Sequence, residues 1–354
     1  FKKIFFSIIS FALFFLMLEF FVRTVIPRFN YNAIFYEKNS NHKVFKGENT
    51  FLFENKISNK FLTRVKNKND DVVFKKNKKK IIFIGDSVTL GFGVKFNDNY
   101  VELFKSKLND QNYQVIGYSN TGINFIDVFD GISKDFIKNL NKGDTVIYQF
   151  NYNDITPLDD SKKMKSENTL YENLLKKIFS NFQKIKFKYL NYSSLIKFAN
   201  YNFSLLPKKI KGNCHERKLD ALGQYTFAYS AKGYEEQSKK IWLIFEKKIN
   251  EIKTLLDKKN IKFYVLISPI SLQLKKHEIV NKLKLDINCG LKDGHQQVVE
   301  VISKNKILNI DPLEAFKKSQ YYSPKILFHE FDTNHPNKYG HEILANEVIN
   351  KLSK

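Results

Sequence analysis

The chain is poor in cysteine. Only two, Cys214 and Cys289, occur among its 354 residues. In an exported domain they could form a disulfide, and two free buried thiols are an equal alternative, because spacing alone does not show that their Cα atoms approach. Neither cysteine has neighbours typical of a nucleophile, and no group of Cys and His has the spacing of a zinc site. The sequence therefore predicts no structural metal.

Acidic residues are also scarce. Asp and Glu number 36 against 59 Lys and Arg, which gives a formal net charge of +23. The lysines are spread over most of the chain, which favours a solvated basic surface. Because zinc-finger spacing and a basic recognition helix are both missing, we predict no nucleic-acid partner. The same charge allows affinity for anionic lipid headgroups or acidic glycans.

The N-terminal segment is apolar and lacks a cleavage site. From Phe1 to Val22 apolar residues dominate, and the run approaches the roughly 20 residues needed to cross a bilayer. No small-x-small motif follows, which argues against a signal peptide. Glu19 and Arg23 lie four apart and can pair at one end of a helix. We predict a single transmembrane anchor over residues 1–23, with the following domain on the extracytoplasmic, periplasmic side of the membrane.

The remaining chain divides into two parts. Residues 24–79 are polar and rich in Asn and Lys, which predicts a stalk and docking segment. Residues 80–354 alternate between strand and helix patterns, with an interruption at about 159–232. The predicted strands are Ile81–Ile84, Gln114–Tyr118, Thr145–Phe150, Ile261–Ser268 and Ile307–Ile310. The predicted helices are Tyr100–Leu108, Phe125–Leu140, Tyr234–Lys258, His295–Ser303 and Lys338–Leu352. Such alternation implies an α/β fold, a three-layer α/β/α sandwich with a central parallel sheet.

The interruption at about 159–232 is rich in lysine and aromatic residues, with a helical pattern around Leu170–Phe187. One interpretation is an insertion with its own aromatic core. Another is a lid over the active-site edge, whose tyrosines stack on sugar rings. The sequence leaves both open.

Four short motifs lie at strand ends or in loops. They are Gly85-Asp86-Ser87, Ser119-Asn-Thr-Gly122, Asn151-Tyr-Asn153-Asp154 and Asp332-x-x-His335. A serine hydroxyl becomes a nucleophile when a neutral imidazole takes its proton, and a carboxylate on the other ring nitrogen fixes the tautomer. Because ligands bind at the carboxyl ends of parallel strands, we expect the first three motifs to share one edge of the sheet.

In this order, the four motifs resemble those of the SGNH/GDSL hydrolase superfamily. Asn151 departs from the third block, usually written G-x-N-D, at its glycine. The resemblance implies an SGNH-hydrolase or flavodoxin-like fold, with Ser87 as nucleophile, His335 as general base and Asp332 as its orienting carboxylate. It further implies an oxyanion hole made by the backbone N–H groups of Ser87 and Gly122 and the side-chain amide of Asn153. No metal or organic cofactor is implied.

The reaction implied by the resemblance is acyl-ester chemistry through an acyl-Ser87 intermediate. With water as acceptor the protein is an esterase, and with a sugar hydroxyl it is an O-acyltransferase. Membrane-anchored members of the superfamily act on cell-surface polysaccharides, which implies an acylated, in particular O-acetylated, glycan as substrate. The alternatives are a lipid esterase or lysophospholipase, and a catalytically silent glycan-binding protein.

Two other interpretations of these motifs are weaker. The loop from Gly85 to Gly93 lacks the glycine order and the Gly-Lys-Ser/Thr ending of phosphate-binding loops, and Asp86 would oppose a phosphate. His329, Asp332 and His335 recur every third residue, as metal ligands on a helix can. Pro336 argues against such a helix, so we predict no metal site there.

Overall fold

The structure, a computed structural model, describes the greater part of the predicted domain and the N-terminal helix. The described residues are 2–25, 35–36, 43–44, 53–56, 61–66, 74–75, 77–108, 110–155, 195, 235–274, 294–322, 327–329 and 334–353. Asp332, both cysteines and the helical pattern at Leu170–Phe187 lie outside these residues.

The chain forms two compact units. The first comprises Phe1–Phe35, Lys46–Asn49 and Asp159–Ile210. The second comprises Tyr36–Phe45, Thr50–Leu158 and Lys211–Lys354, and it carries all the described residues of the four motifs.

In the first unit, residues Lys2–Val25 form helix α1. The carboxylate of Glu19 accepts a hydrogen bond from the backbone N–H of Leu195, at 2.9 Å. A helix was predicted here and is present, but the predicted membrane span is not supported. Within the described residues, no helix combines the length and the apolar content that crossing a bilayer needs.

The second unit is built on a seven-stranded sheet. A separate two-stranded sheet is also present among the described residues. The two short strands are β1 (Phe35–Tyr36) and β2 (Lys43–Val44). The strands of the large sheet are β3 (Phe53–Lys56), β4 (Leu62–Val65), β5 (Lys79–Gly85), β6 (Tyr113–Ser119), β7 (Thr145–Phe150), β8 (Lys262–Ile267) and β9 (Leu308–Ile310). Their order across the sheet is β3-β4-β6-β5-β7-β8-β9.

The sheet is mostly parallel. Strands β6, β5, β7, β8 and β9 pair in parallel, which confirms the predicted parallel sheet in its central part. Strands β3 and β4 pair antiparallel with each other, and β4 pairs antiparallel with β6. This antiparallel edge was not predicted, and both of its strands fall in the predicted stalk segment 24–79. Polar sequences such as Phe53-Glu-Asn-Lys56 suit an edge strand but give little apolar periodicity.

Helices connect the strands of the second unit. They are α2 (Ser87–Leu90), α3 (Tyr100–Leu108), α4 (Phe125–Asp130), α5 (Glu235–Lys258), α6 (Ser271–Leu274), α7 (Gly294–Lys304), α8 (Leu313–Tyr322) and α9 (Lys338–Leu352). The prediction of one continuous α-helix over Phe125–Leu140 is wrong, because the helix type changes along this segment. After α4 the chain widens to a π-helical turn over Gly131–Phe136 and tightens to a 3-10 turn over Ile137–Asn139. A 3.6-residue apolar pattern does not distinguish these windings.

Both faces of the sheet are covered by helices. Alternate residues of β5 point to opposite sides, with Ile82 and Ile84 in one core and Ile81 and Phe83 in the other. Helices α4, α5 and α7 pack on the first face, and α3, α8 and α9 pack on the second. Burying each large apolar side chain contributes about 1.5–3 kcal/mol to stability. The predicted three layers are therefore present.

The strand order places a binding crevice beside β5. Numbered along the chain, the five parallel strands run 2-1-3-4-5, the order of doubly wound flavodoxin-like sheets. The order reverses beside the first of these strands, β5, and ligands of such sheets bind at that point, outside the carboxyl ends. Ser87 follows β5 and Asn153 follows β7, so both lie at this crevice.

Candidate active site

Ser87 is presented by a tight turn at the end of β5. A Cβ on Gly85 would meet the side chains of Thr89 and Gln149, so only glycine allows the turn to pack this closely. The Asp86 side chain caps the short helix α2, because its Oδ1 accepts a hydrogen bond from Val88 N–H at 2.9 Å. Helix α2 then begins at Ser87, which is 6% exposed. The turn fixes the serine at the carboxyl edge.

The loop that follows α2 is held by a buried arginine. The guanidinium of Arg64, on β4, donates hydrogen bonds to the backbone carbonyls of Leu90, Gly91 and Val94. Gly91 has a left-handed backbone with φ +76°, and a Cβ there would strike the guanidinium. Arg64 therefore ties the antiparallel edge of the sheet to the loop that carries Phe92.

His335 is fixed on a loop between a β-bridge and a capped helix. Phe328 and Pro336 form an isolated antiparallel bridge, and His329 N–H donates to the carbonyl of His335 at 3.2 Å. Asn337 caps α9 by accepting hydrogen bonds from the N–H groups of Tyr339 and Gly340. The backbone of His335 is thus held on both sides along the chain.

The structure brings Ser87 and His335 into contact. The Nε2 atom of His335 lies 2.7 Å from the Oγ atom of Ser87, although the two residues are 248 positions apart. The ring of Phe92 lies over the imidazole, with ring centroids 4.5 Å apart. This is hydrogen-bond distance between a hydroxyl and an imidazole, the geometry that allows proton transfer from a nucleophile to a base.

Two buried carboxyl groups lie on the turns at this edge of the sheet, Asp86 directly before Ser87 and Asp154 directly after Asn153. Burial raises the pKa of Asp86, an effect partly offset by the Val88 N–H, the charge of His335 and hydrogen bonds with the Asn153 and Ser87 side chains. Burial, and then the charge of Asp86, raise the pKa of Asp154 well above its usual value. Both carboxyl groups are therefore less acidic than exposed ones, chiefly because burial disfavours their charged form.

Asn153 and Gly122 lie at the same edge as Ser87. Asn153 belongs to the 3-10 turn Tyr152–Asp154 directly after β7, and its side chain lies within hydrogen-bonding reach of Asp86. Gly85 pairs with Ser119 at the carboxyl ends of β5 and β6. The turns that carry Ser87 and Gly122 therefore begin side by side at that edge of the sheet. Gly122 is exposed and has φ +72°, with no atom within 4 Å of a Cβ built there.

One of the predicted site residues is not described by the structure. Asp332 lies outside the described residues, so its predicted role as orienting carboxylate stays a prediction. Phe92 and Arg64 were not predicted as site residues. Phe92 stands between two glycines in Gly91-Phe-Gly93, a weak signal for an aromatic held beside a turn. No local pattern reveals that Arg64 reaches this loop.

Comparisons with known proteins give no assignment. No model of a known protein family matches the chain, and no curated protein matches it in sequence. Among solved structures, a protein from Bacillus subtilis matches at 13% identity and TM-score 0.41, over 78% of this chain and 56% of that one, so that the chain spans little more than half of its length.

Two enzymes of known structure match over nearly their whole length. Axe2, an acetylxylan esterase from Geobacillus stearothermophilus, matches at 15% identity and TM-score 0.42, over 79% of this chain and 97% of that one. LAE5, an α/β hydrolase from the metagenome of Lake Arreo, Spain, matches at 16% identity and TM-score 0.40, over 79% and 97%. Likenesses this low assign neither a fold nor a function to the present chain.

Proposed function

We propose that this chain is a serine-dependent acyl-ester enzyme of the SGNH/GDSL class. The observation that carries the proposal is the 2.7 Å contact between Ser87 Oγ and His335 Nε2. The position of the pair supports it, because Ser87 follows β5 at the point where the strand order reverses. The substrate we propose is an acylated, in particular O-acetylated, cell-surface carbohydrate, the class implied by the sequence resemblance.

In the first half-reaction, Ser87 Oγ attacks the ester carbonyl carbon while its proton passes to His335 Nε2. The tetrahedral intermediate then collapses, the bond to the alcohol breaks, and the leaving oxygen takes the proton from Nε2. The acyl group is now an ester of Ser87. In the second half-reaction, an incoming hydroxyl gives its proton to Nε2 and attacks this ester, after which the proton returns to Ser87.

The intermediate carries a negative charge on the former carbonyl oxygen. We propose that the backbone N–H groups of Ser87 and Gly122 and the side-chain amide of Asn153 stabilise it. The closeness of Asn153 to the Asp86–Ser87 turn supports this role. One such donor typically contributes 10²–10³-fold to kcat. Asp332 is proposed to hold the second ring nitrogen of His335.

The acceptor separates two forms of this activity. Water as the acceptor makes the protein an esterase, and a sugar hydroxyl makes it an O-acyltransferase. An enzyme for cell-surface glycans has to meet them outside the cytoplasmic membrane, so an extracytoplasmic location is part of the proposal. Fractionation of cells that express the full chain tests that location.

Turnover of a chromogenic acetyl ester by the full chain tests the proposal. We expect turnover in the native protein, its loss in Ser87→Ala and His335→Ala, and native turnover in the control Ser106→Ala. Ser106 is exposed on α3, and its hydroxyl bonds only to its own helix in the described contacts. Equal turnover in Ser87→Ala and the native protein would contradict the proposal.

The same assay separates the alternatives. Faster turnover of long-chain lipid esters than of acetylated oligosaccharides would favour a lipid esterase. Glycan binding without turnover of any ester would favour a silent binding protein. Acylated sugar as product in the presence of a glycan acceptor would identify a transferase.

A further inference from the structure

A second chain of polar side chains runs along the carboxyl edge of the sheet, away from Ser87. The hydroxyl of Tyr152 lies 2.9 Å from Nδ1 of His295, and Nε2 of His295 lies 2.8 Å from Oδ2 of Asp311. Gln273 Nε2 also lies 2.9 Å from the Tyr152 hydroxyl. We call the linked side chains Gln273, Tyr152, His295 and Asp311 the edge relay.

The direction of every hydrogen bond in the edge relay follows from its two ends. The backbone N–H of Ile270 donates to Gln273 Oε1 at 2.8 Å, so the amide NH₂ of Gln273 faces Tyr152 and donates to it. At the other end, a neutral imidazole with its proton on Nε2 donates to Asp311 Oδ2, and this is the tautomer that we assign to His295. Nδ1 is then an acceptor and the Tyr152 hydroxyl donates to it. Each link therefore has one donor and one acceptor.

The edge relay connects three neighbouring strands. Tyr152 follows β7, Gln273 lies on α6 after β8, and Asp311 follows β9, with His295 on α7 bridging between them. Asp311 is itself fixed, because its Oδ1 accepts a hydrogen bond from Leu313 N–H at 3.1 Å. The phenol of Tyr152, fully buried, is thus tied to the outer part of the sheet.

Tyr152 shares a single 3-10 turn with Asn153 and Asp154. The other end of this turn is also held, because Asp154 Oδ2 accepts hydrogen bonds from the Tyr148 hydroxyl at 2.6 Å and from Asn151 N–H at 3.2 Å. Rotation of the turn about β7 would break one set of these bonds or the other. The backbone of Asn153, in the middle of the turn, is therefore held from both sides.

We propose that the edge relay positions the Asn153 amide as an oxyanion donor, with Tyr152 as the positioning residue. The inference rests on the proposed acyl-ester function. Displacing a donor by about 1 Å costs on the order of 100-fold in rate, so the relay acts on kcat. Tyr152 is closed to solvent and touches no reacting atom in this scheme.

The test is a double-mutant cycle between Tyr152→Phe and Asn153→Ala, with kcat and KM measured on a chromogenic acetyl ester. Tyr152→Phe keeps the ring that packs edge-on against Phe150 and removes only the hydroxyl. We expect a fall in kcat of about 10-fold or more, with KM within about 2-fold. Asp311→Asn should also lower kcat, by a smaller factor than Tyr152→Phe. An asparagine amide at position 311 can donate as well as accept, so it no longer fixes the tautomer of His295.

In the Asn153→Ala background, Tyr152→Phe should lower kcat no further, because the donor that it positions is gone. Tyr264→Phe, a buried tyrosine on β8, is the matched control and should keep native kcat. Equal fold losses in both backgrounds, or native kcat in Tyr152→Phe, would overturn the inference. Thermal unfolding of each variant shows whether it is folded, and a fluorophosphonate adduct on Tyr152 in Ser87→Ala would also overturn it.

Failure of the proposed function has a different signature. If native turnover does not depend on Ser87, the acyl-ester function itself is wrong. If turnover depends on Ser87 but not on Tyr152, only the role of the edge relay is wrong.

Discussion

The two edges of the large sheet differ in the hydrogen bonding of their buried polar groups. At the amino edge, Lys80 and Asp144 form a buried ion pair at 3.5 Å, and Asp144 also accepts hydrogen bonds from Lys80 N–H and Asn141 N–H at 2.8 Å. At the carboxyl edge, several buried side-chain atoms have no hydrogen-bond partner among the described residues. They are Gln149 Nε2, both amide atoms of Asn151, Asn153 Oδ1 and Ser268 Oγ.

Buried polar atoms without partners cost stability, and they concentrate where function requires polar groups facing a ligand. We infer that the two edges of the sheet make different contributions. The amino edge contributes to stability, whereas the carboxyl edge contributes to chemistry at some cost in stability. Substitutions at the two edges should separate these contributions.

The largest effect is expected at Ser87. Ser87→Ala removes the nucleophile, and we expect kcat on an acetyl ester to fall by about 10⁴–10⁶-fold. The free energy of unfolding should stay within about 1 kcal/mol of the native value, because the hydrogen bond between Ser87 and His335 is lost but no apolar packing is. Steady-state kinetics and chemical denaturation measure the two quantities. A loss of several kcal/mol of stability would remove the contrast between the edges.

The next effect is expected at the amino edge and on stability alone. Asp144→Ala leaves the Lys80 ammonium buried without its partner, which we expect to cost about 3–5 kcal/mol of unfolding free energy. Activity of the folded fraction should stay native, because the pair lies at the far end of the strands. Urea denaturation measures the loss of unfolding free energy. Lys142→Ala, which changes an exposed residue in the same turn, is the control. A large fall in kcat in the folded protein would show that the edges are coupled.

A smaller effect on kcat is expected at Asn153. Asn153→Ala removes one proposed oxyanion donor, and kcat should fall by about 10²–10³-fold. Stability should fall by about 1 kcal/mol at most, since the hydrogen bond with Asp86 is lost while the buried Oδ1 has no partner among the described residues. Asn141→Ala, an exposed asparagine at the amino edge, is the matched control for kcat and for denaturation. Similar kinetics in both variants would argue against the oxyanion role.

The smallest effect concerns pH and a buried histidine beneath the carboxyl edge. Burial, and then the nearby charges of His329, Arg64 and His335, hold the pKa of His341 well below its usual value of 6.5. At mildly acidic pH the unfolded chain therefore binds a proton at His341 that the folded chain does not. Its contribution to stability is complete above about pH 6.5 and is lost as the pH falls, by up to about 1.4 kcal/mol per unit.

His341→Gln tests this contribution. A glutamine oxygen can still accept the hydrogen bond that Nδ1 receives from Tyr100 N–H. The stability of the native protein relative to the variant should fall between pH 7.5 and 5.5 in denaturation experiments. The raised pKa values of Asp86 and Asp154 give the opposite pH dependence, but they occur in both proteins and cancel in the difference. A constant difference would show that His341 does not titrate on unfolding.

The sequence was a good guide where local pattern decides the structure. Buried runs such as Ile81–Ile84 and Thr145–Phe150 predicted the parallel strands, because residues buried on both faces are apolar without interruption. The motifs then predicted which turns carry Ser87 and Asn153, and a loop motif predicted His335. Parallel strands bring the turns of Ser87 and Asn153 to one edge of the sheet. The loop of His335 is held instead by the Phe328–Pro336 bridge, and its imidazole lies 2.7 Å from Ser87.

Other parts depend on contacts between distant segments and were missed. The strand Leu62–Val65 lies in a polar stretch, and its Arg64 reaches a loop some thirty positions away, as the bond to Val94 shows. The edge relay joins residues on three separate connections, and nothing near Tyr152 in the sequence indicates His295. The change from an α-helix to a π-helical turn after Asp130 likewise cannot be recognised from the spacing of the apolar residues.

Mapping of a covalent adduct shows whether Ser87 is the nucleophile and whether His335 activates it. The full chain is treated with a serine-reactive fluorophosphonate, digested and analysed by mass spectrometry, with His335→Ala in parallel. We expect one modified residue, Ser87, and little modification when the imidazole 2.7 Å away is removed. Modification of a different residue, or equal labelling of Ser87 in His335→Ala, would contradict this expectation.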